Sequence, residues 1–178
     1  MPWQADVTAV VLAGGKSTRM GQDKAQLPWQ GVTLLECAAH DLLESGCTVV
    51  RTSGPQDIMD IRSGLGPLGG VYSSLEALPK AAWILFWPVD VPVEPQAVHA
   101  LLEGRKAGKV AVHFQHWPLP LLVANIPALR QELAVFLETN KPVVGGWLQK
   151  LLCEVVPKPI ALKNLNTPEE YARAVVSA

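Results

Sequence analysis

A short apolar run near the start of the chain constrains the fold most strongly. Val7 to Leu12 is an apolar, β-branched run with the length of one buried strand. Ala13, Gly14 and Gly15 follow, so the backbone at the predicted strand end carries no side chain larger than a methyl group. A buried strand that leads into a glycine turn allows backbone N–H groups to close around phosphate oxygens. The stretch therefore predicts a phosphate-binding loop or, as the simpler alternative, a plain turn after a strand.

Basic side chains come directly after the glycines. Lys16, Arg19 and Lys24 have the charge to neutralise a triphosphate, although the same residues also suit a solvated surface. Two common phosphate-binding motifs do not fit. A P-loop needs a glycine where Val10 stands, and a dinucleotide-binding turn needs a third glycine where Thr18 stands. Any phosphate binding here must therefore follow another pattern.

Length and composition indicate one folded domain, 1–178. The chain has 178 residues, of which 49% are hydrophobic and 17% charged, which suits a sizeable core. A net charge of -1 with scattered basic residues argues against binding to nucleic acid, and no apolar stretch is long enough to span a membrane. The three cysteines lack metal-ligand spacing, which is typical of thiols in a reducing compartment, and we expect a cytoplasmic protein.

Strands and helices are predicted to alternate along the chain. The periodicity predicts a helix that begins at Thr33 or Leu34 and is followed by Gly46 as its C′ residue, a strand over 47–50 and a central strand over 83–87. The other predicted elements are loops at 25–31 and 66–70, the latter leading into a helix, strands at 58–61, 110–114, 121–124 and 153–156, helices at 95–102, 127–137 and 143–152, and a C-terminal helix capped by Thr167 and Glu170. This order predicts a three-layer α/β/α fold whose mostly parallel sheet has one antiparallel strand in its C-terminal half.

Asp90 lies just past the predicted central strand, between Pro88 and Pro92. Open α/β sheets bind ligands at this end of their strands, but an aspartate in a loop also commonly caps a turn or faces water. His113 and His116 have no carboxylate or cysteine at ligand spacing, so we interpret them as the end of a strand and its loop. No serine or cysteine has a partnering histidine at a recognisable spacing, which agrees with phosphoryl chemistry.

The stretch 12–24, LAGGKSTRMGQDK, resembles the opening motif of the molybdenum cofactor guanylyltransferase family and its nucleotidyltransferase relatives. The sequences Gly66 to Gly70, Pro88 to Pro92 and Asn164 to Glu170 are also similar to motifs of that family. The resemblance implies a Rossmann-like sheet of the nucleotide-diphospho-sugar transferase type, with a nucleotide-binding N-terminal half and an acceptor-binding C-terminal half. It also implies Mg²⁺-dependent transfer of GMP from GTP to the phosphate of molybdopterin, with release of pyrophosphate.

The same resemblance implies roles for individual side chains. Arg19 and Lys24 are expected to neutralise the triphosphate, and Asp90 to hold Mg²⁺ between the reacting phosphates. The expected nucleotide-binding residues are Leu12, Ala13, Gly14, Gly15, Lys24, Asp60 and Asp90, with Asp60 matched to an aspartate that contacts the nucleoside. Two residues beside the metal and the second substrate are expected to bind the acceptor, Asn164 and Asn166.

Departures from the family pattern leave alternatives open. Arg51, Thr52 and Ser53 stand where relatives that use GTP often have an asparagine after the second strand, so CTP is an alternative donor. Trp117 stands where relatives often have a histidine before Pro-Leu. Further alternatives are a nucleotidyltransferase for a sugar or alditol phosphate and a nucleotide-binding relative without turnover. Transient contacts with other proteins of molybdenum cofactor biosynthesis are also an expectation from the resemblance.

Overall fold

A computed structural model of the chain describes residues 7–13, 23–54, 57–62, 64–160 and 162–177. Gly14, Gly15, Lys16 and Arg19 lie outside the described residues. Their roles in phosphate binding therefore stay predictions from the sequence.

A six-stranded sheet forms the middle layer. Its strands, in the order in which they lie side by side, are β4 (Val49–Ser53), β1 (Val7–Leu12), β5 (Trp83–Pro88), β7 (Trp117–Ala124), β6 (Ala111–Phe114) and β8 (Cys153–Val156). β7 is antiparallel to both of its neighbours, and the other neighbouring pairs in this sheet are parallel. The prediction of a mostly parallel sheet with one antiparallel strand in the C-terminal half is therefore confirmed.

Helices cover both faces of this sheet. One face carries α1 (Leu34–Glu44), α3 (Pro95–Glu103) and α6 (Pro168–Ser177), and the other carries α2 (Pro67–Ala77), α4 (Pro127–Phe136) and α5 (Val144–Leu148). Successive side chains of β1 enter the two cores in turn, Ala9 and Val11 on the first face and Val10 and Leu12 on the second. This burial on both faces explains the continuous apolar run. None of the helices in the described part of the chain has the length and apolar character needed to cross a membrane.

Short-range hydrogen bonds fix where α1 and α6 begin. The Glu36 N–H donates to Thr33 Oγ1 at 3.2 Å, and the Thr33 N–H donates to the Glu36 carboxylate at 2.8 Å. At α6 the Glu170 N–H donates to Thr167 Oγ1 at 3.2 Å, and the Thr167 N–H donates to the Glu170 carboxylate at 3.0 Å. Gly46, at φ 101°, follows the last turn of α1. These ends agree with the sequence prediction because their causes lie within a few residues.

The prediction for the second strand is wrong by several residues. β4 begins at Val49 and runs through Ser53, because its parallel pairing with β1 continues as far as Leu12 and Ser53. Arg51 and Thr52 consequently lie within the strand, and the residue that follows the strand is Gly54.

The segment 66–70 is not a loop. Gly66, at φ 58°, precedes α2, and Pro67 to Gly70 form the first turn of that helix. A proline fits the first helical position because the N–H that it lacks would have had no partner inside the helix.

Two more predicted segments differ from the structure. The loop predicted at 25–31 contains a 3-10 turn, Lys24–Gln26, and a hairpin of β2 (Pro28–Trp29) and β3 (Val32–Thr33). The strand predicted at 58–61 is reduced to one bridge between Ser53 and Ile58. Met59 and Ile61 are 69% and 61% exposed, so this segment buries too little apolar surface to extend the sheet.

Boundaries in the C-terminal half also shift. β7 begins at Trp117 rather than at 121, because Trp117 pairs with Phe114 across the β6–β7 hairpin. α5 ends at Leu148 rather than at 152, and it includes two glycines, which have low helix propensity. The predicted elements at 95–102, 110–114, 127–137 and 153–156 agree with the structure to within one residue.

Gly70 allows the first turn of α2 to approach the ends of β1 and β4. A Cβ at this position would lie 2.4 Å from Ser53 Oγ and 3.2 Å from Leu12 Cδ2. We therefore expect Gly70→Ala to lower the free energy of unfolding by about 1–3 kcal/mol, measured by urea denaturation. The control is Gly145→Ala in α5, where nothing lies within 4 Å and the change should be neutral or slightly stabilising. Equal stability of the two variants would contradict the close approach.

Candidate functional site at the carboxyl edge of the sheet

Backbone hydrogen bonds tie together the carboxyl ends of three neighbouring strands. The Ala13 N–H donates to the Ser53 carbonyl at 3.3 Å, which joins β1 to β4. The Val89 N–H donates to the Leu12 carbonyl at 3.2 Å, which joins β1 to the segment after β5. Leu12 and Ala13, two of the predicted nucleotide-binding residues, therefore lie beside the turn that carries Asp90.

Lys24 and Asp90 form an ion pair at this edge. Lys24 Nζ lies 2.8 Å from Asp90 Oδ2, and the two side chains are 17% and 23% exposed. Lys24 reaches this position from the start of the 3-10 turn, which Asp23 caps by accepting the Ala25 N–H at 3.0 Å. The pair joins segments that are 66 residues apart in the sequence.

Asn166 joins the ion pair from the segment before α6. Its Oδ1 accepts a hydrogen bond from Lys24 Nζ at 3.4 Å, and the preceding Leu165 donates its N–H to the Asp90 carbonyl at 2.7 Å. The Glu170 carboxylate accepts the Asn166 N–H at 2.8 Å, in addition to its cap hydrogen bond. The capping pattern in the sequence predicted the hydrogen bonds between Glu170 and Thr167, but not the one from Asn166. Two oxygens, one from a carboxylate and one from an amide, thus converge on one ammonium group.

Asp60 lies apart from this cluster, at the start of α2 on the opposite face of the sheet from α6. Its Oδ2 lies 3.6 Å from the position that a Cβ on Gly69 would take, so the carboxylate borders the first turn of α2. Partial burial raises the pKa of Asp60 above its ordinary value. Of the predicted site residues, the structure therefore brings together Lys24, Asp90 and Asn166, and places Asp60 separately.

A groove of about 880 Å³ opens beside Asn166, on the face of the sheet that carries α1, α3 and α6. Its walls include Asn164, Trp117, Lys158 and Lys163. The volume falls in the range of sites for small molecules. The sequence pointed to both Asn164, which belongs to a motif similar to that of the family, and Trp117, which departs from the family pattern. The two lysines were missed, because a lone lysine after an edge strand carries no signal in the sequence.

The oxygens around Lys24 are of the type that binds a hard cation. Within the described ranges, no three His, Cys, Asp or Glu side chains come close enough together to enclose a metal ion. Mg²⁺ commonly binds through one or two carboxylates and completes its shell with water and substrate phosphates. The Asp90 carboxylate and the Asn166 amide oxygen, which share one ammonium as partner, fit that mode of binding.

The cysteine thiols are poorly suited to act as nucleophiles. Burial and a hydrogen bond to the Asp41 carboxylate raise the pKa of Cys37 to about 11. Burial alone raises the pKa of Cys47 to about 12, and burial also raises the pKa of Cys153. Thiols with such pKa values stay protonated at neutral pH. A cysteine nucleophile is therefore not expected in the chemistry of this site.

Known nucleotidyltransferases are similar to this chain over nearly its whole length. Residues 9–153 match the model of a family described as MobA-like NTP transferase domain. The molybdenum cofactor guanylyltransferase of Xanthomonas euvesicatoria pv. vesicatoria is 33% identical, over 98% of this chain and 95% of that protein. The protein of the same name from Shewanella sp. (strain W3-18-1) is 27% identical over 97% of both chains.

Solved structures share the fold. Molybdopterin-guanine dinucleotide biosynthesis protein A from Archaeoglobus fulgidus has a TM-score of 0.72 and 22% identity, covering 96% of this chain and 97% of its own. 2-C-methyl-D-erythritol 4-phosphate cytidylyltransferase from Thermus thermophilus has a TM-score of 0.70 and 16% identity, covering 94% of this chain and 96% of its own. At these identities the likeness concerns the fold alone. It confirms a Rossmann-like α/β/α sheet of the nucleotide-diphospho-sugar transferase type.

The ion pair predicts that substitutions of Lys24 and Asp90 have non-additive effects on stability. Lys24→Met, Asp90→Asn and the double variant, compared by urea denaturation, should give a coupling of about 1 kcal/mol. Added salt should weaken this coupling only slightly, because both side chains are largely removed from solvent.

The pair Arg62–Glu138 provides the control for this cycle, since its two side chains are 38% and 70% exposed. Arg62→Met with Glu138→Gln should give a smaller coupling that salt removes. Additive effects at Lys24 and Asp90 would contradict their pairing.

Proposed function

This chain belongs to the MobA-like NTP transferase family of nucleotidyltransferases, and we propose that it transfers GMP from GTP to the phosphate of molybdopterin, releasing pyrophosphate. The observation that carries the proposal is the cluster of Lys24, Asp90 and Asn166 at the carboxyl edge of the central strands, where open α/β sheets bind ligands. The relatives named molybdenum cofactor guanylyltransferase support this choice of donor and acceptor.

The proposed reaction joins two phosphates. An anionic oxygen of the molybdopterin phosphate attacks the α-phosphorus of GTP and forms a new P–O bond. The bond from that phosphorus to the oxygen that bridges to the β-phosphate breaks, and pyrophosphate leaves. The attacking oxygen is already ionised at neutral pH, so the reaction needs no nucleophile from the protein. The protein contributes alignment and neutralisation of charge.

Lys24 is proposed to neutralise the triphosphate, together with Arg19, which lies outside the described residues. A triphosphate that reaches Lys24 competes with the Asp90 carboxylate for the ammonium group. Exchange of partners would leave Asp90 Oδ2 available to a cation. The backbone at the end of β1 is proposed to cradle the phosphates, and the residues concerned are Leu12, Ala13, Gly14 and Gly15.

Mg²⁺ is the cofactor that we propose for this site. Asp90 would hold it, with the Asn166 amide oxygen nearby, because both oxygens already face one cation, at 2.8 and 3.4 Å. When bound, Mg²⁺ would stabilise the negative charge of the reacting phosphates. The small number of protein oxygens suits a metal whose other ligands are phosphate and water.

The remaining predicted residues are proposed to bind the two substrates within one domain, 1–178. Asp60, at the first turn of α2, would contact the nucleoside. Asn164 and Asn166, on the groove, would contact the acceptor. We propose that the enzyme acts in the cytoplasm, in transient contact with other proteins of molybdenum cofactor biosynthesis. Its free cysteines suit a reducing compartment.

Binding of the donor can be tested by thermal unfolding with GTP, CTP, ATP and UTP, each with and without Mg²⁺. We expect GTP with Mg²⁺ to give the largest rise in Tm, because a ligand that binds only the folded state stabilises it, by about 2.7 kcal/mol at a hundredfold excess over Kd. EDTA should reduce the rise. A rise with CTP alone would contradict GTP as the donor, and no rise with any nucleotide would contradict a nucleotide site.

Asp90→Ala should abolish turnover while leaving the protein folded. We expect pyrophosphate release from GTP, molybdopterin and Mg²⁺ to fall by about 100-fold or more, because the charge at the transferring phosphate is no longer compensated. Glu44→Ala removes a carboxylate that is exposed at the C-terminal end of α1, and this control should keep the wild-type rate. Unchanged turnover in Asp90→Ala would exclude Asp90 as the metal ligand.

A further inference from the structure

The direction of β7 brings Trp117 to the edge of the sheet that carries the candidate site. β7 is antiparallel to β5, with Leu121 opposite Phe86. The first residue of β7, Trp117, therefore lies towards the end of β5 that leads into Asp90. A parallel strand would have carried its first residue to the opposite edge.

Lys158 contacts the face of the Trp117 indole ring, with its ammonium 4.4 Å from the ring centroid. It also donates to the Leu162 carbonyl at 2.9 Å and to the Pro159 carbonyl at 3.4 Å. An ammonium held by two carbonyls and an aromatic face is better placed to orient the ring than to bind a phosphate. Trp117 is partly buried, packs against the core on this face of the sheet and also lines the groove, so its indole is a pre-oriented part of the groove wall.

We propose that Trp117, held in place by Lys158, stacks against the pterin ring of the acceptor and determines the affinity for it. The inference rests on the proposed function, since molybdopterin combines a planar heteroaromatic ring with a phosphate. A ring that is already oriented loses little entropy when a ligand stacks on it. The groove also includes Asn166, which contacts Lys24 of the ion pair. With the pterin against Trp117, the phosphate of the acceptor extends towards Asp90.

Two substitutions of Trp117 separate its aromatic face from its volume. Trp117→Leu should raise the KM for molybdopterin about tenfold, the typical effect of losing one stacking interaction, with kcat and the KM for GTP unchanged. Trp117→Phe retains a ring and should keep the KM for molybdopterin within about threefold of wild type. Steady-state kinetics with GTP, molybdopterin and Mg²⁺ measure these constants, and the rise in Tm with GTP checks that each variant keeps its nucleotide site.

Lys158→Met tests whether the ammonium group orients the indole. Methionine keeps an apolar stem but no charge, so the ring gains freedom, and we expect the KM for molybdopterin to rise about threefold with kcat unchanged. Lys80→Met, at an exposed lysine in the turn after α2, is the control and should leave both constants unchanged. An unchanged KM for molybdopterin in Lys158→Met would show that Lys158 has no such role.

The outcomes distinguish this inference from the proposed function. If the wild-type protein turns over GTP with molybdopterin but Trp117→Leu keeps the wild-type KM for the acceptor, the stacking proposal is wrong and the proposed function stands. If the wild-type protein binds GTP but releases no pyrophosphate with molybdopterin, both fail. If Trp117→Leu raises the KM for GTP as much as that for molybdopterin, Trp117 supports the fold rather than the acceptor, and the stacking proposal is overturned.

Discussion

The pairing of β1 with β5 is the constraint on which the candidate site depends. The two strands run parallel, in register from Val7 and Trp83 to Leu12 and Pro88, and both are buried between helical layers. They consequently end at the same edge of the sheet, and Asp90 follows Pro88 in the next turn. A slip of one residue would exchange the faces to which all their side chains point. Each face packs against its own set of helix side chains, so a slip would disrupt the packing of both cores, and this packing fixes where Asp90 lies.

We propose that the Lys24–Asp90 ion pair serves ligand binding more than stability. Transfer of two charges out of water offsets much of their mutual attraction, so a partly buried pair adds little to the free energy of folding. The backbone positions both members without it, since Leu165 holds the Asp90 carbonyl and Asp23 caps the turn that carries Lys24. Because the scaffold does not depend on the pair, the proposed triphosphate and cation could replace it without disturbing this edge of the sheet.

The features that could be predicted from the sequence are those whose causes are local. The apolar runs of β1 and β5 and the capping box of α6, which depends on a spacing of three residues, were predicted correctly. The start of α1 was also predicted, but its capping box, Thr33 with Glu36, was not. The end of β4 was not, because its pairing with β1 extends to Ser53. The glycines before Val71 suggested a loop, whereas Gly70 lies in a helix whose close packing against Ser53 leaves no space for a Cβ. The sequence shows a glycine but not its packing partner.

The contacts in the groove depend on the direction of β7. No local pattern in the sequence determines that direction closely enough to place Trp117 against Lys158. β1 lies on one side of β5 and β7 on the other. In the proposed reaction, the end of β1 would therefore border the donor and the start of β7 would border the acceptor. In-line displacement at a phosphorus atom requires the attacking and leaving oxygens on opposite sides. Asp90 follows the middle strand of the order β1-β5-β7, so it would lie between the two proposed substrate sites.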